Sequence, residues 1–507
     1  MPEDVTVINT DEMTAPKAGN NLWENRAYVY NNVKEKTVPL VSIVVQAYNR
    51  LDKTKYCVEC ILKYTQGIDY ELILVDNGST DGTLEYFKSV DYPQKRICRL
   101  TKNIGAAYPY EWIRRIYRGK YLATIANDVY VTKNWLSNLL NCYESDAKIG
   151  LAVPMCNNTS NLQAPSNFEY SSMDEMQKKA AAFNAPDPSK WQERLRLITL
   201  APIYKREIFD EVGFFDNGYE HNFSDDDISV RIRRAGYKLI VCGDTFVCHD
   251  HSRVVSSQKE ADKINASLAK DRKAFKEKFH GIDAWEDINN FEKNLLDTLE
   301  CGEYKNNDCI NLLGIDTRCG TPIAEIRNRL RKERINAKVT SFAFTTRAKY
   351  YEDLLTIAEH VSCDRADFIQ DFVTNNSMDV ILLGEPLNNY HEPIRFLQKL
   401  FGFLKEGGTL LFKVKNAENM QTFLRMIGVN IESDGEMSAQ LLPEEVKQCL
   451  HLFGASNINC IKEISPMSQQ NIEALSQLVA FGTESNQFNI MKDKFETDQY
   501  LFHAEKP

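Results

Sequence analysis

The chain has 507 residues, of which 43% are hydrophobic and 26% charged, and carries a formal net charge of −10. That length implies two or three domains with separate cores, and the composition is that of a folded protein rather than a disordered or fibrous one. The acidic balance argues against a nucleic-acid binder and against polybasic docking on an anionic membrane.

The N-terminus, MPEDVTVINTDEMTAPK, lacks the basic and apolar regions of a signal peptide. No apolar run approaches the ~18–20 residues of a membrane helix, so a cytoplasmic location without an integral membrane segment is expected. Thirteen cysteines without a regular framework read as reduced thiols. Cys57-Val-Glu-Cys60 places Cys57, Cys60, Ile61 and Tyr64 on one helical face. With no second CxxC and no nearby His, this is core rather than a zinc or redox site.

Residues 1–36 are polar and read as an irregular extension. VPLVSIVVQAYNR, from Val38, is the continuous apolar run of a buried parallel strand. A helix over about 52–65 follows, then a second buried strand, YELILVDNGSTDGT. Its Asn-Gly-Ser-Thr-Asp-Gly turn caps a helix from about Thr83. Another helix, over about 106–118, leads to a strand at KYLATIANDVYV. Strands alternating with helices imply an α/β sheet with ligands at the carboxyl ends of its strands. Residues 151–200 read as a less regular, lid-like or acceptor-facing insertion, and 256–300 as a charged helical connector. A second α/β alternation begins near Asn306.

Acidic groups fall at the strand ends of the first region. Asp76 ends a strand where a carboxylate can accept from a base N–H, and Tyr48 ends the preceding strand and offers a ring for stacking. Asp128, in Ala126-Asn127-Asp128, sits where a carboxylate can hold a hard divalent cation against a diphosphate. HNFSDDDISVRIRRAGY brings three carboxylates together at a helix N-terminus. One Asp suffices for a cap, and the triple repulsion favours a nearby cation, substrate charge or held proton, so a general base is the economical reading. His249, beside a strand end, is placed to complete a metal site with Asp128.

In this order and spacing, VSIVVQAYNR, ILVDNGSTDGT, Asn103-Ile-Gly105, the AND-VYVTKNWL stretch, KREIFDEVGFFD, SDDDISVRIRRAGY and His249 resemble the inverting GT-A glycosyltransferases of family 2. The resemblance covers about Val38–Arg253 and implies a GT-A domain over 37–255. It implies that Tyr48 and Asp76 recognise the base, most often uracil, with Gln46, Asn49, Asn103, Gly105 and Asn127 among the donor-binding positions. Asp128 would ligate Mn²⁺ or Mg²⁺. The first acid of that motif is replaced by Ala126-Asn127, so the metal would lean on His249 and the diphosphate. Asp225 maps onto the catalytic base, with Asp227 the second choice. The implied reaction is one in-line displacement with inversion at the anomeric carbon.

Residues 301–507 resemble a class I methyltransferase: CINLLGIDTRCGTP as first strand and loop, then SMDVILLGEPL, LKEGGTLLFKV and a closing YLFHAEKP. Where that family has DxGxGxG, this chain has Asp316-Thr-Arg318-Cys-Gly320-Thr-Pro322. Arg318 or Pro322 obstructs the close backbone approach that glycines allow. The domain is therefore expected to be a Rossmann-like scaffold for dimerisation or acceptor binding. A bifunctional enzyme that also methylates and an inactive binding protein are the alternatives. The partners expected are a UDP-sugar donor, with GlcNAc the favoured sugar, and a protein or glycan acceptor. The acceptor read first is Ser/Thr of a surface protein such as flagellin, and a cell-surface polysaccharide or S-layer glycan is the alternative.

Overall fold

The computed structural model describes residues 5–10, 39–216, 218–219, 222–250, 257–420, 439–480 and 485–507. It divides into two compact units, Met1–Asn289 and Asn290–Pro507. Among the described residues no helix is long and apolar enough to cross a membrane.

The first unit holds strands β1 (Val5–Ile8), β2 (Val41–Ala47), β3 (Tyr70–Asn77), β4 (Lys95–Leu100), β5 (Tyr121–Ala126), β6 (Val129–Tyr130), β7 (Ile149–Cys156), β8 (Trp191–Arg194), β9 (Ile203–Lys205) and β10 (Lys238–His249). They form one sheet in the order β1-β4-β3-β2-β5-β9-β7-β10-β6, with β8 on β10. The run from β1 to β5 is parallel. β9 then enters antiparallel to both neighbours. β2 and β3 are buried almost throughout, as the apolar runs demand of strands covered on both faces. The carboxyl ends of β2, β3 and β5 come into register, Gln46 opposite Ala126 and Ala47 opposite Asp76. This is the α/β GT-A arrangement expected from the sequence.

Three expectations change. Val5–Ile8, read as irregular extension, adds a parallel edge strand on β4, and Thr10 bonds to Thr101 and Lys102 beyond it. Residues 11–36 lie outside the described residues. Ile149–Cys156 is no part of an irregular insertion: all eight residues are buried in the sheet. Its Pro154 sits where β10 bulges between Cys242 and Phe246, a position where proline's missing N–H is tolerated. The helix expected over 106–118 spans only Tyr110–Ile116, because Pro109 disfavours helical geometry in the residue before it.

The second unit holds β11 (Cys309–Ile315), β12 (Lys338–Thr345), β13 (His360–Cys363), β14 (Met378–Leu383), β15 (Leu404–Lys415), β16 (Ser456–Ile464) and β17 (Thr497–Glu505). The order is β13-β12-β11-β14-β15-β17-β16. Five strands are parallel, and β17 is inserted antiparallel between β15 and β16. That is the Rossmann-like, methyltransferase-type order. All thirteen cysteines are free. Cys57 and Cys60 are buried in the first core, and burial pushes the Cys60 thiol up to about 12, which keeps it neutral and unreactive.

Candidate active site

The chain leaves β2 through Tyr48, which is 46% exposed, and then through two consecutive left-handed residues, Asn49 (φ 54°) and Arg50 (φ 61°). Asn tolerates this region and Arg does not, so neighbours must hold the turn. Asn49 N–H donates to Ser79 Oγ at 2.9 Å, and Asn49 Oδ1 accepts from Thr80 N–H at 2.9 Å. Asn127 Nδ2 donates to Asn49 O and to Thr54 Oγ1, both at 2.9 Å. Asn49 and Asn127 thus fasten the strand tip.

Asp76 is fully buried at the end of β3. Its Oδ1 accepts from Ser79 N–H at 2.9 Å and its Oδ2 pairs with Arg99. A nucleobase would meet this carboxylate only as an additional partner, whereas the Tyr48 ring is open. Asn103 and Gly105 lie on a loop tied to β3 by Asn77, whose Nδ2 donates to Gly105 O at 2.8 Å and Asn103 Oδ1 at 3.2 Å. Gly78 (φ 84°) has no room for a Cβ, which would stand 2.4 Å from Asn103 N. Gln46 Nε2 donates to Ala106 O at 2.9 Å on the same loop, and its buried Oε1 has no hydrogen-bond partner among the described residues. Gln46, Asn103 and Gly105 are thereby gathered at one edge of the strand tips.

Asp128 stands two residues past the end of β5. Arg50 Nη1 reaches its Oδ2 at 3.1 Å, and His249 Nε2 stands 3.8 Å from its Oδ1. The antiparallel pairing of β6 with β10 brings this about, His249 opposite Val129, and Asp250 N–H donates to Asp128 O at 2.9 Å. Asn157, just past β7, locks the His249 backbone, accepting from its N–H at 2.8 Å and donating to its O at 3.0 Å. Among the described residues no group of three or more His, Cys, Asp or Glu is placed to hold a metal. His251 lies outside the described residues.

The three carboxylates open helix Ser224–Arg234, and the fold gives them three different fates. Asp226 is buried against Arg196. Asp227 is fully buried between Arg231 Nε at 2.6 Å and Lys278 Nζ at 2.5 Å, with the Tyr219 hydroxyl at 3.2 Å. Burial alone would raise its pKa, but Arg231 and Lys278 outweigh burial and hold it below the usual carboxylate range. Asp225 instead accepts from Thr199 Oγ1 at 2.6 Å and Thr199 N–H at 3.1 Å and has no cation on it among these bonds. Burial therefore prevails, and its pKa is raised.

A cavity of about 600 Å³ lies over these groups, and Asp225 and His249 both line it. The remaining wall comes from Ser160, Asn222, Phe223 and Trp285 among others. So the structure brings Asp128, His249 and Asp225 to one region and leaves Asp76 and Asp227 sealed inside. Sequence reading missed Thr199, Arg50, Asn157 and Trp285. Arg50 had a signal, a lone cation after the Tyr-Asn of a strand end. Thr199 and Trp285 had none, because only tertiary packing makes them neighbours of Asp225.

In the second unit, the loop after β11 is closed on itself. Asp316 is buried, accepting from Thr346 N–H at 2.7 Å and the Tyr390 hydroxyl at 2.7 Å. Asp316 (φ 48°) and Arg318 (φ 53°) occupy left-handed backbone. A Cβ on Gly384 would stand 2.5 Å from Asp316 O, so β14 already presses on the loop. Arg318 and Arg347 both approach Glu385, at 3.8 and 3.4 Å. Pro322 stands in the first turn of helix Thr321–Lys332, where its missing N–H costs nothing.

Residues 42–213 match the model of glycosyl transferase family 2. The chain is 24% identical over 222 residues to glycosyltransferase AglE of Haloferax volcanii, covering 42% of this chain and 67% of that protein. It is 32% identical over 117 residues to chondroitin synthase of Escherichia coli, covering 22% of this chain and 17% of that protein. The chain spans from 10% to 68% of the length of curated relatives it matches. Among solved structures, mannosyltransferase PcManGT of Pyrobaculum calidifontis, in complex with GDP-Man and Mn²⁺, aligns at a TM-score of 0.34 and 14% identity, over 62% of this chain and 79% of that one.

Proposed function

With residues 42–213 forming a family 2 glycosyltransferase domain, we propose that the protein moves a sugar from a UDP-sugar to an acceptor hydroxyl with inversion of the anomeric centre. One observation carries this reading. Of three adjacent acids, Asp226 and Asp227 are ion-paired, whereas Asp225 is hydrogen-bonded to Thr199 and lines the cavity that His249 also lines. A carboxylate with a raised pKa and an open side is suited to take a hydroxyl proton. Asp225 deprotonates the acceptor oxygen as that oxygen attacks the anomeric carbon, and the nucleoside diphosphate leaves with the bonding pair. Thr199 fixes the carboxylate's orientation through two hydrogen bonds.

Tyr48 is the candidate stacking surface for the base, and Gln46, Asn103 and Gly105 form the loop edge against which the nucleoside rests. Asp128 and His249 are the residues that would hold Mn²⁺ or Mg²⁺. Their Nε2 and Oδ1 stand 3.8 Å apart at the strand tip, and a carboxylate and an imidazole are donors that such an ion accepts. When bound, that ion supplies charge to stabilise the departing diphosphate. Arg50 adds a positive charge at the same tip.

GlcNAc remains the favoured sugar. For the acceptor, relatives such as chondroitin synthase support a glycan hydroxyl over a Ser/Thr hydroxyl. The closed Asp316 loop supports a scaffolding role for the second unit. Measuring UDP release from a panel of UDP-sugars, with and without saccharide acceptors, tests the proposal. Turnover that survives Asp225→Asn near its normal rate would overturn the base assignment.

A further inference from the structure

Trp285 leaves 40% of its surface exposed and lines the same cavity as Asp225. A large exposed aromatic in a cleft is more informative than a scattered surface leucine. The fold holds this one firmly. The indole stacks on Phe223 with centroids 5.3 Å apart and planes 29° from parallel, and the Arg272 guanidinium lies 5.1 Å from its centroid. Arg272 is itself fixed by Asp283 at 2.7 Å and Glu286 at 2.6 Å. Buried Asp283 also caps the turn, accepting from the N–H groups of Trp285 at 2.9 Å and Glu286 at 3.1 Å. Phe223 stands two residues before Asp225, in left-handed geometry at the start of the helix that carries it. The aromatic surface and the candidate base are therefore anchored to one strained point.

Among the described residues the wall also carries the neutral polar Ser160, Asn222, Ser224 and Asn289, with apolar Ile198 and the His249 imidazole. Of its acids, Asp226 is paired with Arg196, whereas Asp225 accepts only from Thr199 among these bonds. An apolar aromatic surface beside amides and hydroxyls that both donate and accept suits a pyranose, which has a C–H face and a rim of hydroxyls. A cavity of about 600 Å³ has room for one or two such rings.

We propose that Trp285 forms an acceptor subsite on which a neutral saccharide ring stacks, presenting a ring hydroxyl to Asp225. The word acceptor rests on the glycosyltransferase reading, whereas the saccharide site stands on the cavity alone. The segment that supplies it lies outside the family-matched residues 42–213.

Saturation-transfer NMR on the full chain, with methyl glycosides and short oligosaccharides of glucose, galactose and N-acetylglucosamine, tests it without requiring turnover. At least one probe should bind wild type and Asp225→Asn alike. Trp285→Ala should weaken that binding by about tenfold or more, and Trp285→Phe should retain part of it, with melting temperatures confirming that both variants fold. No binding of any probe to wild type, or unchanged binding to a folded Trp285→Ala, overturns the inference. Absence of UDP release from wild type with every donor, alongside saccharide binding that depends on Trp285, overturns the proposed function and leaves the subsite standing.

Discussion

Both units of this protein end a central parallel strand in an acid and a turn, yet they use that geometry in opposite ways. In the first unit, Asp128 after β5 meets Arg50 and His249 at a strand tip, and Asp225 faces a cavity nearby. In the second, Asp316 after β11 is closed over by Thr346 and Tyr390 while Gly384 presses on its backbone. Sheet topology puts acids at strand ends in both. Whether they do chemistry is decided by what their oxygens already hold.

Asp225→Asn is the sharpest test of that distinction. We expect transfer to fall by roughly 10²–10⁴-fold, measured as UDP release, while thermal melting at neutral pH does not fall. The second half follows from the sign of the shift. A carboxyl whose folded pKa is raised binds more protons folded than unfolded, so it opposes stability as pH rises, and a neutral amide removes that cost. Asp227→Asn should behave in reverse on stability, destabilising by about 3–5 kcal/mol in denaturant unfolding because Lys278 and Arg231 lose a buried partner. Its folded pKa is depressed, so its contribution is present above the unfolded pKa and lost as pH falls through the folded one.

His249→Ala should reduce transfer by roughly 10–100-fold and raise the Mn²⁺ concentration needed for half-maximal rate, as measured in metal titrations after chelation. Tyr390→Phe in the second unit should lower stability by about 1 kcal/mol and leave transfer unchanged. The smallest effect tests the closed loop directly: calorimetry with S-adenosylmethionine should register no binding heat. A clear isotherm would break the contrast between the units.

Much of this architecture was legible in the sequence. The apolar runs at 41–47 and 70–77 mark buried parallel strands, and the damaged Asp316–Pro322 loop announces its own closure. Ile149–Cys156 escaped because Pro154 speaks against a strand until the bulge in β10 is known. The three acids at 225–227 share one helical turn, and no periodicity separates them. Arg196, Thr199, Arg231 and Lys278 do so, and of these only Arg231 is a local partner. Trp285 is invisible for the same reason, since nothing local ties it to Phe223.

Lys278 has a bearing on how this module travels. It comes from helix Gln258–Lys278, past the last family-matched residue, and bridges Asp216 at 2.6 Å and Asp227 at 2.5 Å. A chimera cut at residue 255 to graft the first unit onto another carrier would strip one counter-ion from two buried acids, along with the indole beside Phe223. The smallest portable cassette therefore includes this tail, so engineering junctions belong near Asn289.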